Sequence, residues 1–268
     1  MIGDFTLGQY YPAKSVIHKI DPRVKIIFLI VIIVLIYCTA NIFSLSFIAL
    51  TSFTILFATK VPFSTYFKNL KIILPILVFT FLLNLFYMGD GNVLVEFSIF
   101  KITDEGVYRS VFMAVRLVIL ILISSSLTYT TTPNELTDAL EGLLSPLKYI
   151  GLGNAVHVLF LMMTIALRFI PTLAEETEKI INAQKARGAD FESGKLSERI
   201  KAIIPIIIPL LISSVRRAYD LAEAMESRCY NGGKGKTRMN VLKLKKSDYF
   251  AFVIMLLITT ALIFINCL

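Results

Sequence analysis

The sequence predicts an all-α polytopic membrane protein with about five transmembrane helices and a large cytoplasmic helical region, on three observations. Hydrophobic residues make up 56% of the 268, and mean hydropathy is +0.74. That is well above the apolar share of a soluble domain, so the bilayer is the natural solvent. Five stretches approach the roughly 20 apolar residues that a helix needs to cross the hydrocarbon core. The segments joining them alternate between rich and poor in Lys and Arg, the pattern of the positive-inside rule.

The five stretches are 24–40, 42–58, 72–88, 107–129 and 249–265. With the N-terminus inside, Lys14, Lys19, Arg23 and Lys25 precede the first span, and Lys60, Lys68 and Lys71 fall in the second inner segment. A further 17 basic residues lie between Tyr129 and Tyr249. The outer segments hold Lys101 beside Asp90, Glu96, Asp104 and Glu105. The first apolar run has no small-residue cleavage site after it and reads as an anchor that is kept.

Two more apolar stretches, 156–173 and 203–215, are short or interrupted by His157, Arg168, Pro171, Pro205 and Pro209. If both crossed, Lys179, Lys185, Arg187, Lys195, Arg199 and Lys201 would lie outside, against the charge rule. The expected organisation is therefore a membrane domain of four spans over 1–129, a cytoplasmic, partly membrane-apposed helical domain over 130–248, and a fifth span with a short outer C-terminus over 249–268.

Local signals place the helices. Asp21 and Pro22 are an N-cap and a first-turn proline ahead of the first span,. In TTPNELTDALEGLLSPLKYIG, Pro133, Glu135 and Asp138 mark a start, and Leu136, Leu140, Leu143, Leu144 and Leu147 form an apolar stripe,. A second helix is expected from about Gly153, turning from apolar to charged near Pro171 and stopping at Gly188,. A third, following ESGKLSER, is expected to be bent or broken by Pro205 and Pro209 and to stop at Gly232 and Gly233,. A basic linker, GGKGKTRMNVLKLKK, leads back to the membrane.

The last two helices end on an echo. AQKARGAD (183–190) and AMESRCYN (224–231) align Ala183 with Ala224, Ala186 with Ser227, Arg187 with Arg228 and Gly188 with Cys229, at an offset of 41 residues. A helix C-terminus favours a cation through its macrodipole, which alone accounts for any single Arg there. The small neighbours and the repetition add a second meaning: a surface can approach closely and present a carboxylate to the planar guanidinium fork.

GQYYPAKSVIHKIDPRVK (8–25), ALRFIPTLAEETEKIINAQKARGAD (166–190) and RAYDLAEAMESRCYNGG (217–233) resemble the signature segments of the transmembrane coupling subunit, or T component, of energy-coupling factor transporters. The resemblance covers nearly the whole chain in order. It implies a non-catalytic subunit of an ATP-driven vitamin or micronutrient importer, in the plasma membrane of a prokaryote, with residues 130–248 as its cytoplasmic coupling region. It further implies that two ATPase subunits, a heterodimer, bind the ATP, and that a separate membrane protein, the S component, captures the substrate. By position, Ala186, Arg187 and Gly188 are an intact docking motif; Ser227, Arg228 and Cys229 keep the Arg and replace both small neighbours with other small residues. Leu161, Met162 and Met163 are candidates for facing the S component, because flexible Met suits a surface that exchanges partners; ordinary helix packing accounts for them equally.

Other chemistries lack parts. Cys38, Cys229 and Cys267 are far apart, and His18 and His157 are the only histidines, so no metal or disulfide framework is expected. The end of YNGGKGKT mimics a phosphate loop, but position 230, where that motif needs Gly, is Tyr,. No catalytic residue and no bound cofactor are expected, and the basic charge follows topology rather than nucleic acid. Arg116, near the middle of the fourth span, reads as structural, with no counter-charge evident. A self-standing secondary transporter is the alternative; it calls for polar breaks or carboxylates within the spans, where Asn84 and Arg116 are the main polar side chains apart from hydroxyls. An intramembrane enzyme would need a nucleophile and a base at bilayer depth, which no span offers.

Overall fold

The structure, a computed structural model, describes residues 10–87, 93–97, 100–189, 191, 196–232 and 244–267. It is all-α apart from one antiparallel hairpin. Eight α-helices occur among the described residues: α1 (Pro22–Cys38), α2 (Ile42–Thr59), α3 (Phe63–Tyr87), α4 (Asp104–Thr130), α5 (Pro133–Leu143), α6 (Gly153–Ala186), α7 (Leu196–Glu226) and α8 (Lys246–Cys267). Strands β1 (Val93–Phe97) and β2 (Phe100–Thr103) pair between α3 and α4, where no strand was expected.

Among the described residues, six helices are long and apolar enough to cross a bilayer: α2, α3, α4, α6, α7 and α8; α1 has 17 residues, near the lower bound for a span. Both α6 and α7 qualify because each runs unbroken. Pro205 and Pro209 lie inside continuous α7, and Pro171 inside α6, so of the bend or break expected in the third helix, no break occurs. A proline removes one helical hydrogen bond, a loss that flanking turns absorb when the rest of the helix holds.

The chain divides into two compact units, one containing Gly8–Thr132 and Leu242–Leu268, the other Pro133–Val241. In the first, Ile36, Leu45, Ile48, Ile119, Ile123 and Leu262 bring α1, α2, α4 and α8 onto one core. Lipid tails are as apolar as these side chains, so close packing and interhelical hydrogen bonds must supply the cohesion. Small buried hydroxyls such as Ser44, Ser52, Ser110, Ser125 and Ser126 allow the close approach. Asn69 of α3 donates to Ser125 of α4 at 2.9 Å, and the Tyr66 and Tyr129 rings meet edge to face at 5.1 Å.

Helix termini in this unit are satisfied by their own caps and by side chains from other helices, as buried ends require. Asp21 caps α1 by accepting from the Arg23 amide at 2.9 Å, with Pro22 in the first turn. The Asp248 carboxylate, 1% exposed, accepts from the backbone amides of Asp21 and Lys245, joining the starts of α1 and α8. Lys25 Nζ donates to the Thr130 carbonyl at the end of α4, at 2.9 Å. At the other end of α1, Asn266 of α8 donates to the Cys38 carbonyl and Arg116 of α4 to the Thr39 carbonyl. The partner of Arg116 is thus a helix C-terminus, with the Phe112 ring 4.8 Å from its guanidinium carbon; a carbonyl at the negative end of a helix dipole serves where a carboxylate was sought.

In the second unit, α5 packs on α6, and α6 on α7. His157 of α6 lies 3.4 Å from the Glu141 carboxylate of α5, while His18 stays local, contacting Ser15 Oγ and the Tyr11 carbonyl. Both histidines tie backbone segments together, and the described residues hold no cluster suited to a metal.

Candidate functional site

The C-termini of α6 and α7 close by the same hydrogen bonds. In α6, the Gly188 amide donates to the Lys185 carbonyl at 3.0 Å and the Ala189 amide to Gln184 at 3.0 Å. In α7, the Cys229 amide donates to Glu226 at 2.8 Å and the Tyr230 amide to Met225 at 3.1 Å. Each set is a Schellman closure, with the orphan carbonyls of the last turn taken up by the two residues after the cap. Arg187 and Arg228 hold the equivalent cap position, and the residue after each turns left-handed, Gly188 at φ +88° and Cys229 at φ +57°.

The α7 end corrects one expectation. The helix closes at Cys229, three residues before Gly232, whose own φ of +63° makes a further turn; Gly233 and the phosphate-loop mimic beyond it lie outside the described residues. Gly188 bears the left-handed conformation freely. Nothing lies within 4 Å of where its Cβ would be, so the requirement there is conformational rather than steric. Cys229 adopts the same conformation with a Cβ, which costs about 1–2 kcal/mol.

Both ends are open. Ala183, Ala186, Arg187 and Gly188 on α6 and Ala224, Ser227, Arg228 and Cys229 on α7 are all exposed. Neither guanidinium has a protein partner among the described residues, and Cys229 is a free thiol. Each end therefore presents an unengaged guanidinium fork flanked by side chains too small to block an approaching surface. A guanidinium fork of this kind can accept a carboxylate bidentately.

Behind the two ends is a feature the sequence reading passed over. The Glu176 carboxylate of α6 accepts from Ser213 Oγ through one oxygen and from Arg217 Nη2, at 2.6 Å, through the other, both on α7. Glu176 precedes Arg187 by 11 residues, and Arg217 precedes Arg228 by 11. Each arginine therefore stands about 16 Å along its helix from one shared cross-link. The 41-residue offset that aligns the two motifs also aligns Glu176 with Arg217, the signal by which the pair was legible.

The apolar candidates lie on the first half of α6. Met162 is 58% and Met163 39% exposed, with Leu161 partly buried beside them. The structure sets these residues apart from the arginine ends, about 36 Å along the helix from Met163 to Arg187.

A family model described as cobalt transport protein matches residues 13–241. Over 252 residues the chain is 48% identical to the energy-coupling factor transporter transmembrane protein EcfT of Clostridium kluyveri, covering 94% of this chain and 93% of that protein. It is 48% identical to the protein of the same name from Ruminiclostridium cellulolyticum over 248 residues, 92% of each. The Bacillus subtilis protein of that name matches at 42% over 266 residues, 99% of this chain and 100% of its own length.

Proposed function

Because the chain belongs to the cobalt transport protein family and, within it, to the energy-coupling factor transporter transmembrane proteins, we propose that it is the subunit through which two ATPases drive a substrate-binding partner. The carrying observation is the pair of matched helix ends, each with an exposed arginine at the cap of a Schellman closure. In this reading Ala186, Arg187 and Gly188 dock on one ATPase, and Ser227, Arg228 and Cys229 on the other. ATP is bound by those partners, and this chain is not an enzyme. The cargo is a vitamin or other micronutrient, held by an S component that rests on the apolar surface including Leu161, Met162 and Met163.

Two equivalent docking ends belong in one compartment. The charge distribution favours the cytoplasm of a bacterial cell for both, with α6 and α7 lying apolar face against membrane or partner. Mechanically, the Glu176–Arg217–Ser213 cross-link supports the reading. When the ATPases close on ATP, the two arginine ends move, and stiff helices joined at one point carry that motion to their apolar halves. Arg116 is engaged by the end of α1, which argues against a solute path past it.

The test is reconstitution of the chain in liposomes with and without its ATPases and S component. Uptake that needs every component and ATP supports the proposal; solute transport by the chain alone contradicts it and supports a secondary transporter instead.

A further inference from the structure

Within the first unit, the faces of α1, α2, α4 and α8 surround an apolar groove of about 370 Å³, a volume in the range of small-molecule sites. Its α8 wall runs from Ser247 to Ile258. The eleven helical steps between them rise about 16 Å, close to half of the roughly 30 Å hydrocarbon core. The groove is thus about one leaflet deep and parallel to the helices that bound it.

Its two ends differ chemically. Farther along α1 and α8 the lining is aliphatic, including Ile32 and Ile258. At the shallow end, Val16, Ile17, Ile20 and Ser247 form the mouth. The exposed Lys14 and Lys19 flank Val16 and Ile17 in sequence, Lys19 directly precedes Ile20, and the exposed Lys245 and Lys246 precede Ser247. Among the described residues, the acids at this end, Asp21 and Asp248, are buried and occupied by backbone amides. Lys25, held on the Thr130 carbonyl, forms part of the wall.

An apolar slot one leaflet deep with a cationic mouth has the shape and charge of a phospholipid turned inside out. We propose that the groove seats an acyl chain of an anionic phospholipid, with the lipid phosphate against the lysines of the mouth. The lipid completes the packing of the four helices where their side chains leave space. It selects anionic headgroups because each basic residue near the surface favours them about fivefold.

The chain contains no Trp, so one introduced Trp reports on the site alone. Phe28→Trp places it in the groove wall, Phe250→Trp at an exposed position on the α8 wall, and Phe79→Trp on the lipid-exposed surface of α3 away from the groove. The full-length variants are reconstituted in phosphatidylcholine vesicles holding a minor fraction of lipid brominated on its acyl chains, either phosphatidylglycerol or phosphatidylcholine. At Phe28→Trp, quenching by the brominated anionic lipid is expected to exceed that by the zwitterionic one at least about fivefold. Phe250→Trp should rank the lipids the same way, and Phe79→Trp should be quenched alike by both. Adding Lys19→Glu and Lys246→Glu should bring the Phe28→Trp ratio near one. Equal quenching by both lipids at both groove positions, or none at Phe28→Trp in vesicles made wholly of brominated lipid, would overturn the proposal.

Discussion

Lys25 of α1 donates to the Thr130 carbonyl at the end of α4, and Arg116 of α4 donates to the Thr39 carbonyl at the end of α1. Fourteen residues separate Lys25 from Thr39, and fourteen separate Arg116 from Thr130. The two helices therefore clamp each other's C-termini at points about 21 Å apart. A cation at bilayer depth is costly unless it meets protein polar groups, and here the cost is offset by carbonyls that would otherwise lack partners.

Lys25→Met and Arg116→Met should each destabilise the membrane unit by about 1.5–3 kcal/mol, the range for hydrogen bonds to charged groups. Being remote, the two losses should add to within about 0.5 kcal/mol. Detergent-denaturation midpoints of both single variants and the double variant check this; strong non-additivity would mean the clamps act through a shared element.

The Glu176–Arg217 pair is a quarter to a third exposed, so its worth is screened to about 1 kcal/mol. A double-mutant cycle with Glu176→Ala and Arg217→Ala should recover a coupling of that size, weakening with added salt. In the assembled transporter, Glu176→Ala should lower solute moved per ATP hydrolysed, because the two arms lose their common joint while both arginines remain.

Left-handed closure predicts opposite signs for exchange at the two motif ends. Gly188→Ala should loosen the last turn of α6, and Cys229→Gly should tighten that of α7, each by about 1 kcal/mol. Hydrogen exchange at the terminal amides of α6 and α7 reads both. Unchanged exchange in Cys229→Gly would show that the Cys conformation carries no strain.

The exposed Cys229 thiol also serves as a footprint. With Cys38 and Cys267 changed to Ser, maleimide should label Cys229 readily in the isolated chain and at least about tenfold more slowly once ATPases are bound, given that docking interfaces bury their central contacts. Labelling at equal rates in both states would place the α7 end outside the interface.

Local chemistry was readable where one residue decides an outcome. Asp21 and Pro22 start α1, Pro133 starts α5, and Gly188 ends α6, each by a rule that needs only its neighbours. The end of α7 was missed by three residues because Cys has no preference for left-handed backbone; only its alignment with Gly188 hints at it. Pro205 and Pro209 did not decide between a bend and a break for a related reason, since proline's local penalty says nothing of the apolar length on either side that keeps α7 continuous. The partner of Arg116 was hidden because a search for a counter-charge overlooks carbonyls 77 residues away in sequence. Glu176 and Arg217 look like surface charges until the repeat is extended beyond the motifs.

The central claim is that the α6 and α7 ends are two equivalent docking devices. Its most direct test is co-purification of tagged chain with its ATPases from membranes, comparing wild type, Arg187→Glu, Arg228→Glu and the double variant. The account predicts retention in wild type, weakened retention in each single variant and loss in the double variant, with the chain itself still membrane-inserted. Full retention of the ATPases by the double variant would contradict it.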